Sequence, residues 1–377
     1  MTNDVHKAIK IKDIAKALGI SIGTVDRALH NRGRIKPHTK EQVLRMAASL
    51  GYRPNPAARA LASKQRLRIA VNLPAQIAPF WDAVREGIRE QARTFAASGV
   101  EVESHTFPRL GQGEEAAFEE ALRSGVSGII MATGRPEDLH TLIGNASRSQ
   151  IPVVAVTTDA PGTPRLAVVS VDSLASGALA GELLGRLSQG LGKLAVITGD
   201  LKITDHAEKF QSFRDSVASL SRSTRVLPPL QNHEDETEAY KECTHLLKCN
   251  PDLKGLYVST ANSAPVLTAL RDQGQLGHLP VIATDLFPTL IQHLQAGNIL
   301  ATLYQRPSSQ GQIAMRILHD FLVEGRCVAQ QIHLAPHLIM RSNLRFFLEH
   351  LYLESDGRGP KPFESEREVD HFGLRLS

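Results

Sequence analysis

From Leu67 to about Leu344 the chain alternates short, β-branched apolar runs with longer stretches of helical period. The runs include RIAVNLP, VEVESHTF, GIIMA, PVVAVTT, AVVSVD, KLAVITGD, GLYVST, PVIATD and ILATLYQ. Between them lie amphipathic segments such as FWDAVREGIREQARTFAASG and SLASGALAGELLGRLSQG. A continuous apolar run of four to eight residues suits a strand buried on both faces, which is the condition inside a parallel sheet covered by helices. Parallel neighbours also need a crossover of a dozen or more residues, and the helical stretches supply it. The pattern therefore predicts an α/β body. About 280 residues of it are too many for one sheet and predict two lobes in series.

The first 66 residues differ. They hold 14 Lys/Arg against 4 Asp/Glu, out of 43 and 39 in the whole chain. The N-terminal piece is therefore net +10 and the remainder net −6, which points to a polyanion partner for the small piece. Its pattern is helical. IKIKDIAKALG has Ile11, Ile14, Ala15 and Leu18 on one face, and Gly19 ends it. Ser21 is placed to cap a second helix through the amide of Thr24. There only Val25, Ala28 and Leu29 can form a buried stripe. HTKEQVLRMAASLG reads as a third helix, with Val43, Leu44, Ala47 and Leu50 inward and Gly51 as its stop.

Two helices joined by a short Gly-containing turn form the helix-turn-helix pattern, with the small Ala15 at the crossing and Gly19 free to take positive φ. The second helix of such a pair lies in the major groove. Ser21 and Thr24 then face phosphates, Ile22 a thymine methyl, Gly23 a close backbone approach, Arg27 guanine O6/N7, and His30 a base or the backbone. Asp26 repels phosphate, so it either orients Arg27, accepts from a cytosine amino group, or is a solvated surface acid.

IKIKDIAKALGISIGTVDRALHNRGRIKPHTKEQVLRMAASLGYRPNPAARALASK resembles the N-terminal region of the lactose-repressor (LacI/GalR) family over about 55 residues without a gap, through TV-x-R-x-L, LGY-x-PN and AAR-x-L. Family members usually carry Ser at the position of Asp26. The resemblance implies a DNA-binding domain over residues 1–55 and a hinge helix or linker over 56–66. Paired hinge helices of a homodimer then push Leu61 into the minor groove, with Asn55, Ala58 and Arg59 beside it. A core leucine is the other reading of Leu61.

The order from Leu67 onward resembles ribose-type periplasmic sugar-binding proteins and the matching domain of these repressors. The implied architecture has two Rossmann-like lobes, 67–168 with 304–330 and 169–303 with 331–345, crossed near Val168, Leu303 and Ile332. Residues 346–377 form a C-terminal tail. The resemblance places effector contacts at Phe80 and Trp81 (APFWDAVREG), Asn262 (STANSAPVLTAL), Asp285 (PVIATDLFP) and Gln305 (ATLYQRP). Aromatic faces suit the C–H faces of a sugar, and Asn, Asp and Gln suit its vicinal hydroxyls. Core packing for the rings and a strand-end cap for Asp285 are the competing readings. Thr157 and Thr158 stand where the ribose type has Asp-Arg, with Asp159 following, and His206 stands near a lost arginine. Arg135 and Arg306 keep a phosphorylated or acidic ligand open.

The implied function is a DNA-binding regulator, a repressor of a carbohydrate-utilisation operon that binds a near-palindromic operator and answers to a sugar-like effector. A corepressor-dependent repressor or an activator answering to a non-sugar or phosphorylated metabolite is the alternative. No apolar run nears the roughly 20 residues of a membrane span, and MTNDVHKAIK lacks a signal-peptide core. With Cys243, Cys249 and Cys327 alone, this points to the cytoplasm. Cys243, His245 and Cys249 lack a fourth zinc ligand at motif spacing, GLGKLAV lacks P-loop spacing, and no catalytic constellation appears. The expectation is no metal, no cofactor and no enzyme.

Overall fold

The computed structural model describes residues 11–29, 35–50, 66–95, 99–190, 192–221, 223–326 and 329–348. The N-terminal helices are α1 (Ile11–Leu18), α2 (Ile22–Leu29) and α3 (Pro37–Ser49). Gly19 at φ +64° closes α1, and the Ile20 N–H donates to the Ala15 carbonyl at 3.1 Å. This is a Schellman closure, which satisfies an otherwise orphaned helix carbonyl. Ser21 Oγ accepts from the Thr24 N–H at 3.1 Å and caps α2. Ile14, Ala15, Val25, Ala28, Val43 and Ala47 form the core, with Leu18, Ile20, Leu29, Met46 and Leu50 against it. Leu44 departs from expectation: it is 46% exposed. The inward stripe of α3 runs through 43, 47 and 50 with Met46, and Leu44 lies one 100° step off that line.

The chain forms two compact units, Met1–Ser170 with Pro307–His333 and Val171–Arg306 with Leu334–Ser377. The chain passes between them after residues 170, 306 and 333. The first sheet uses β1 (Leu67–Pro74), β2 (Val100–Phe107), β3 (Gly128–Met131), β4 (Val153–Val156), β5 (Ala167–Val171) and β12 (Gln331–Leu334) in the order β12-β5-β4-β3-β1-β2. β1 runs parallel to both neighbours, with Leu67 opposite Val100 and Ile69 opposite Gly128. Helices α4 (Ala78–Thr94), α5 (Glu114–Arg123) and α6 (Pro136–Arg148) connect these strands, and α12 (Pro307–Glu324) packs on α4. Phe118, Ile129, Met131, Leu139 and Ile143 lie in the core under α5 and α6.

The second sheet repeats the winding. It holds β6 (Lys193–Thr198), β7 (Arg225–Val226), β9 (Leu253–Val258), β10 (Val281–Thr284), β11 (Ala301–Tyr304) and β13 (His337–Ile339) in the order β13-β11-β10-β9-β6-β7, with β8 (Leu230–Gln231) also on β6. All pairs are parallel except β11 with β13. Its helices are α7 (Ser173–Leu187), α8 (Thr204–Leu220), α9 (Glu236–Cys249), α10 (Ala264–Asp272) and α11 (Pro288–Gln295). α7 and α8 touch backbone to backbone. A Cβ on Gly177 would stand 2.0 Å from the Lys209 carbonyl oxygen, and one on Gly181 2.5 Å from that of Phe213. In each sheet the winding reverses beside the first strand, at β1/β3 and at β6/β9. Such a reversal opens a crevice at the carboxyl ends of the strands.

Candidate functional site

Four strands of the second unit deliver polar residues at their carboxyl ends. β6 leads to Gly199 and Asp200, β9 to Thr260 and Asn262, β10 to Asp285 and β11 to Gln305. The first turns of α8 add Asp205, His206 and Lys209. One chain of contacts links them. The Thr260 hydroxyl is shared by both Glu234 carboxylate oxygens at 2.6 Å. His206 Nε2 lies 3.7 Å from Glu234 Oε1 and 4.0 Å from Asp205 Oδ2, while its Nδ1 sits against the Asp200 peptide. Lys209 Nζ donates to Asp205 Oδ2 at 3.0 Å and to Gln305 Oε1 at 2.8 Å. Gln305 donates to Asp285 through its backbone N–H at 3.0 Å and its side-chain amide at 2.7 Å.

The local backbone explains how these groups meet. Gly199 carries no Cβ because one would fall 2.4 Å from both Glu234 Oε1 and His206 Cε1. Glu234 reaches the site from a turn with two successive left-handed residues, His233 (φ 47°) and Glu234 (φ 59°). Asn232 Oδ1 accepts the Glu234 N–H at 3.0 Å and holds that turn. Asp285 is fully buried at φ 68°. Left-handed non-glycine residues cost about 1–3 kcal/mol each and persist where surroundings over-determine them.

Burial sets the electrostatics. It pushes Asp285 up to about 6, only partly opposed by the Gln305 hydrogen bonds. It also raises Glu234 against the lowering influence of His206 and Thr260. For Asp205 burial acts upward, but the Lys209 ammonium and His206 outweigh it and hold the carboxyl below the usual range. Lys209 is the mirror case: burial acts downward, and Asp205 wins, raising the amine. Asp205 Oδ1 and Asn262 Nδ2 are buried without a hydrogen-bond partner.

The first unit has its own polar cluster. Glu114 is buried and accepts from the Gly111 N–H at 2.5 Å, the Gly134 N–H at 2.7 Å and the Thr133 hydroxyl at 2.8 Å. Thr158 Oγ1 accepts the Thr133 N–H at 2.9 Å. Thr157 is buried at φ 71° with its hydroxyl unpartnered. Asp159 is bound by Arg165 in a two-point ion pair, and Arg135 lies 4.0 Å from Asp138. Phe80 and Trp81 are both buried and meet edge to face at 5.0 Å. Asn72, on β1, is buried with both amide atoms unpartnered.

On α2, Ser21, Ile22, Gly23 and Arg27 are exposed and Thr24 is half-buried. Ser21 Oγ and Thr24 Oγ1 are 2.9 Å apart. Arg27 Nε donates to the Gly23 carbonyl at 3.0 Å, one turn back along its own helix. His30, Asn55, Ala58, Arg59 and Leu61 lie outside the described residues. Of the effector contacts expected from the sequence, His206, Asn262, Asp285 and Gln305 stand along one polar chain of the second unit. Phe80, Trp81, Thr157, Thr158 and Asp159 stand in the first unit. Sequence reasoning passed over Lys209, Glu234, Thr260 and Glu114. Only Lys209 left a signal, its i,i+4 spacing from Asp205.

Cys249 Sγ lies 3.6 Å from His245 Nε2, while Cys243 is buried. Among the described residues no group of three or more His, Cys, Asp or Glu is arranged to hold a metal, and no helix is long and apolar enough to cross a membrane.

Comparison with known proteins agrees with this layout. Residues 10–55 match the model for bacterial regulatory proteins of the lacI family, and residues 69–326 match the periplasmic binding protein domain. The HTH-type transcriptional regulator DegA of Bacillus subtilis is 31% identical over 208 residues, 55% of this chain and 60% of that protein. Catabolite control protein A of Priestia megaterium is 24% identical over 341 residues, 88% of this chain and 97% of that one. The structure of GanP, a glucose-galactose binding protein from Geobacillus stearothermophilus, superposes with a TM-score of 0.67 at 26% identity, covering 74% of this chain and 99% of that one. A capped helix-turn-helix followed by two doubly wound sheets thus places the chain in the lacI family of bacterial regulatory proteins: it is a DNA-binding transcriptional regulator whose effector domain is of the periplasmic-binding-protein type.

Proposed function

We propose that this regulator is a homodimeric, cytoplasmic repressor of a carbohydrate-utilisation operon, released or engaged by a sugar-like effector. The observation that carries the effector reading is the polar chain from Asn262 to Asp285 at the carboxyl ends of four parallel strands. It leaves a buried acceptor, Asp205 Oδ1, and a buried donor, Asn262 Nδ2, without partners. Hydroxyls can donate to the one and accept from the other, so a polyhydroxylated ligand suits both. GanP, which shares the fold, is described as a glucose-galactose binding protein. Phe80, Trp81, Thr157, Thr158 and Asp159 of the first unit are candidate sugar contacts in their own right, the rings suited to C–H faces and the threonines and Asp159 to hydroxyls.

The exposed face of α2 reads the operator. Ser21 and Thr24 meet phosphates, and Ile22, Gly23, Arg27 and His30 meet the base edges. Asn55, Ala58, Arg59 and Leu61 act at the minor groove between half-sites. Selection of bound duplexes from a random DNA library tests this. Two-fold symmetric half-sites are the expected product, with affinity falling roughly 10³–10⁵-fold between 50 and 200 mM salt for 6–10 phosphate contacts. Enrichment of asymmetric sites, or a flat salt response, refutes the dimeric operator mode. Titrating sugars into the selected complex then identifies the effector and the sign of its action.

A further inference from the structure

The polar chain of the second unit is rich in carboxylates. Asp205, Glu234 and Asp285 share it with a single ammonium, that of Lys209, and with the His206 imidazole, which favours the charged forms of Asp205 and Glu234. That ammonium is engaged by Asp205 at 3.0 Å and Gln305 at 2.8 Å, and Gln305 is itself bound to Asp285. Two cations outside the chain could change this balance. Arg306 follows Gln305, but its charge falls on His337 of β13, where it adds to burial in lowering that imidazole. Arg135 belongs to the other unit and lies 4.0 Å from Asp138.

The unmatched atoms have a matching polarity. Asp205 Oδ1 needs a donor and Asn262 Nδ2 needs an acceptor. The Asn262 backbone N–H bonds to Thr260 Oγ1 at 3.2 Å, next to Glu234, and Asp205 and Glu234 both approach His206 Nε2. Hydroxyls and amines bring donors to Asp205. A phosphate ester or carboxylate brings only acceptors and a further negative charge, beside carboxylates already buried.

We propose that Asp205 and Glu234 are specificity-determining residues that admit uncharged or amine-bearing polyhydroxylated effectors and reject phosphorylated and acidic ones. This rests on the reading of the second unit's polar chain as effector-binding. It excludes the phosphorylated or acidic ligand that the sequence alone keeps open.

The test is thermal unfolding of the full-length protein with matched ligands. The sets are glucose, glucosamine, glucose 6-phosphate and glucuronate; ribose and ribose 5-phosphate; myo-inositol and its monophosphate; adenosine and its monophosphate. The expected result is a shift with a neutral or amine member and at least 100-fold weaker binding of its anionic partner. Glu234→Gln keeps an acceptor for Thr260, and it should narrow that ratio at least tenfold. If that variant fails to fold, Asn262→Ala takes its place: it should weaken the neutral ligand while the anionic partner stays rejected. A phosphate or acid binding as well as its neutral partner overturns the selectivity and leaves the sugar reading standing. A nucleoside that binds while its nucleotide does not overturns the sugar reading and supports the selectivity. Silence across every set overturns both.

Discussion

Lys209→Met is the most informative single change in this chain. Methionine keeps the apolar stem and deletes the ammonium. The Lys209 side chain is 2% exposed and its Asp205 partner 14% exposed, so water cannot replace the lost charge freely. Breaking one side of a buried pair costs about 3–5 kcal/mol, because the remaining charge is left uncompensated. For a unit of this size each kcal/mol moves the unfolding midpoint by roughly 2–4 °C, so the shift should be about 6–20 °C. Calorimetry of the full chain is the right assay. The single tryptophan, Trp81, belongs to the first unit and its fluorescence would report the wrong transition. The double variant Asp205→Asn/Lys209→Met removes both charges and should recover most of the loss. The pH dependence follows from the shifts. Asp205 is lowered, so its contribution is present above its unfolded value and fades as pH falls through the folded one. Lys209 is raised, so its contribution fades only at high pH. The gap between wild type and Lys209→Met should therefore be widest near neutrality and close in acid. A single-variant cost below about 1 kcal/mol, or a double variant whose cost equals the sum of the two singles, refutes the uncompensated-charge argument.

Three further outcomes are expected. Gly177→Ala forces α8 away from α7, because its Cβ would stand 2.0 Å from the Lys209 carbonyl oxygen; a loss of about 1–3 kcal/mol in chemical denaturation should come with weaker effector binding in calorimetric titration, while Gly144→Ala, inside α6 with nothing nearer than 4.0 Å, should stabilise by about 0.5–1 kcal/mol and leave effector binding unchanged. Ser21→Ala removes the cap of α2 and should cost about 1 kcal/mol, read as faster hydrogen exchange of the α2 amides. Asp285 holds its proton to about pH 6 when folded against an ordinary value of 3.8, so its share of stability should decline as pH rises from about 4 to about 6. Asp285→Asn should flatten that part of the stability profile.

The buried strands were legible because burial on both faces writes itself as an unbroken apolar run. GIIM, VVAV and VIAT are buried at every position, and each became a strand. β12 and β13 were not legible in this way. They lie at sheet edges, and QIHL alternates exposed with half-buried positions. β7 and β8 are two residues each, too short to carry a period. Leu44 was misassigned because an apolar residue beside a helical stripe looks the same in sequence whether it faces in or out. In the site, residues directly following strands were readable by motif. Lys209 was not, since a lysine four residues after an aspartate ordinarily marks a solvated helix face. Glu234 was invisible for a different reason: it reaches Thr260 only through a left-handed turn, a conformation that few non-glycine residues adopt.

The two units differ in how their helix pairs are assembled from the chain. α7 and α8 are neighbours in sequence, so their glycine-mediated contact can form as soon as both have left the ribosome. α4 instead packs on α12, where a Cβ on Gly87 would stand 2.1 Å from the Ser308 carbonyl oxygen and one on Gly311 2.2 Å from that of Val84. More than two hundred residues separate those partners, and the Val171–Arg306 stretch of the second unit is synthesised in between. During translation the first unit therefore waits, with the α4 surface around Val84 and Ile88 uncovered, for a helix encoded more than two hundred codons later. A nascent chain interrupted before Pro307 holds a complete helix-turn-helix and an incomplete first unit. Late ribosome stalling on this message should accordingly yield aggregation-prone product rather than a functional fragment.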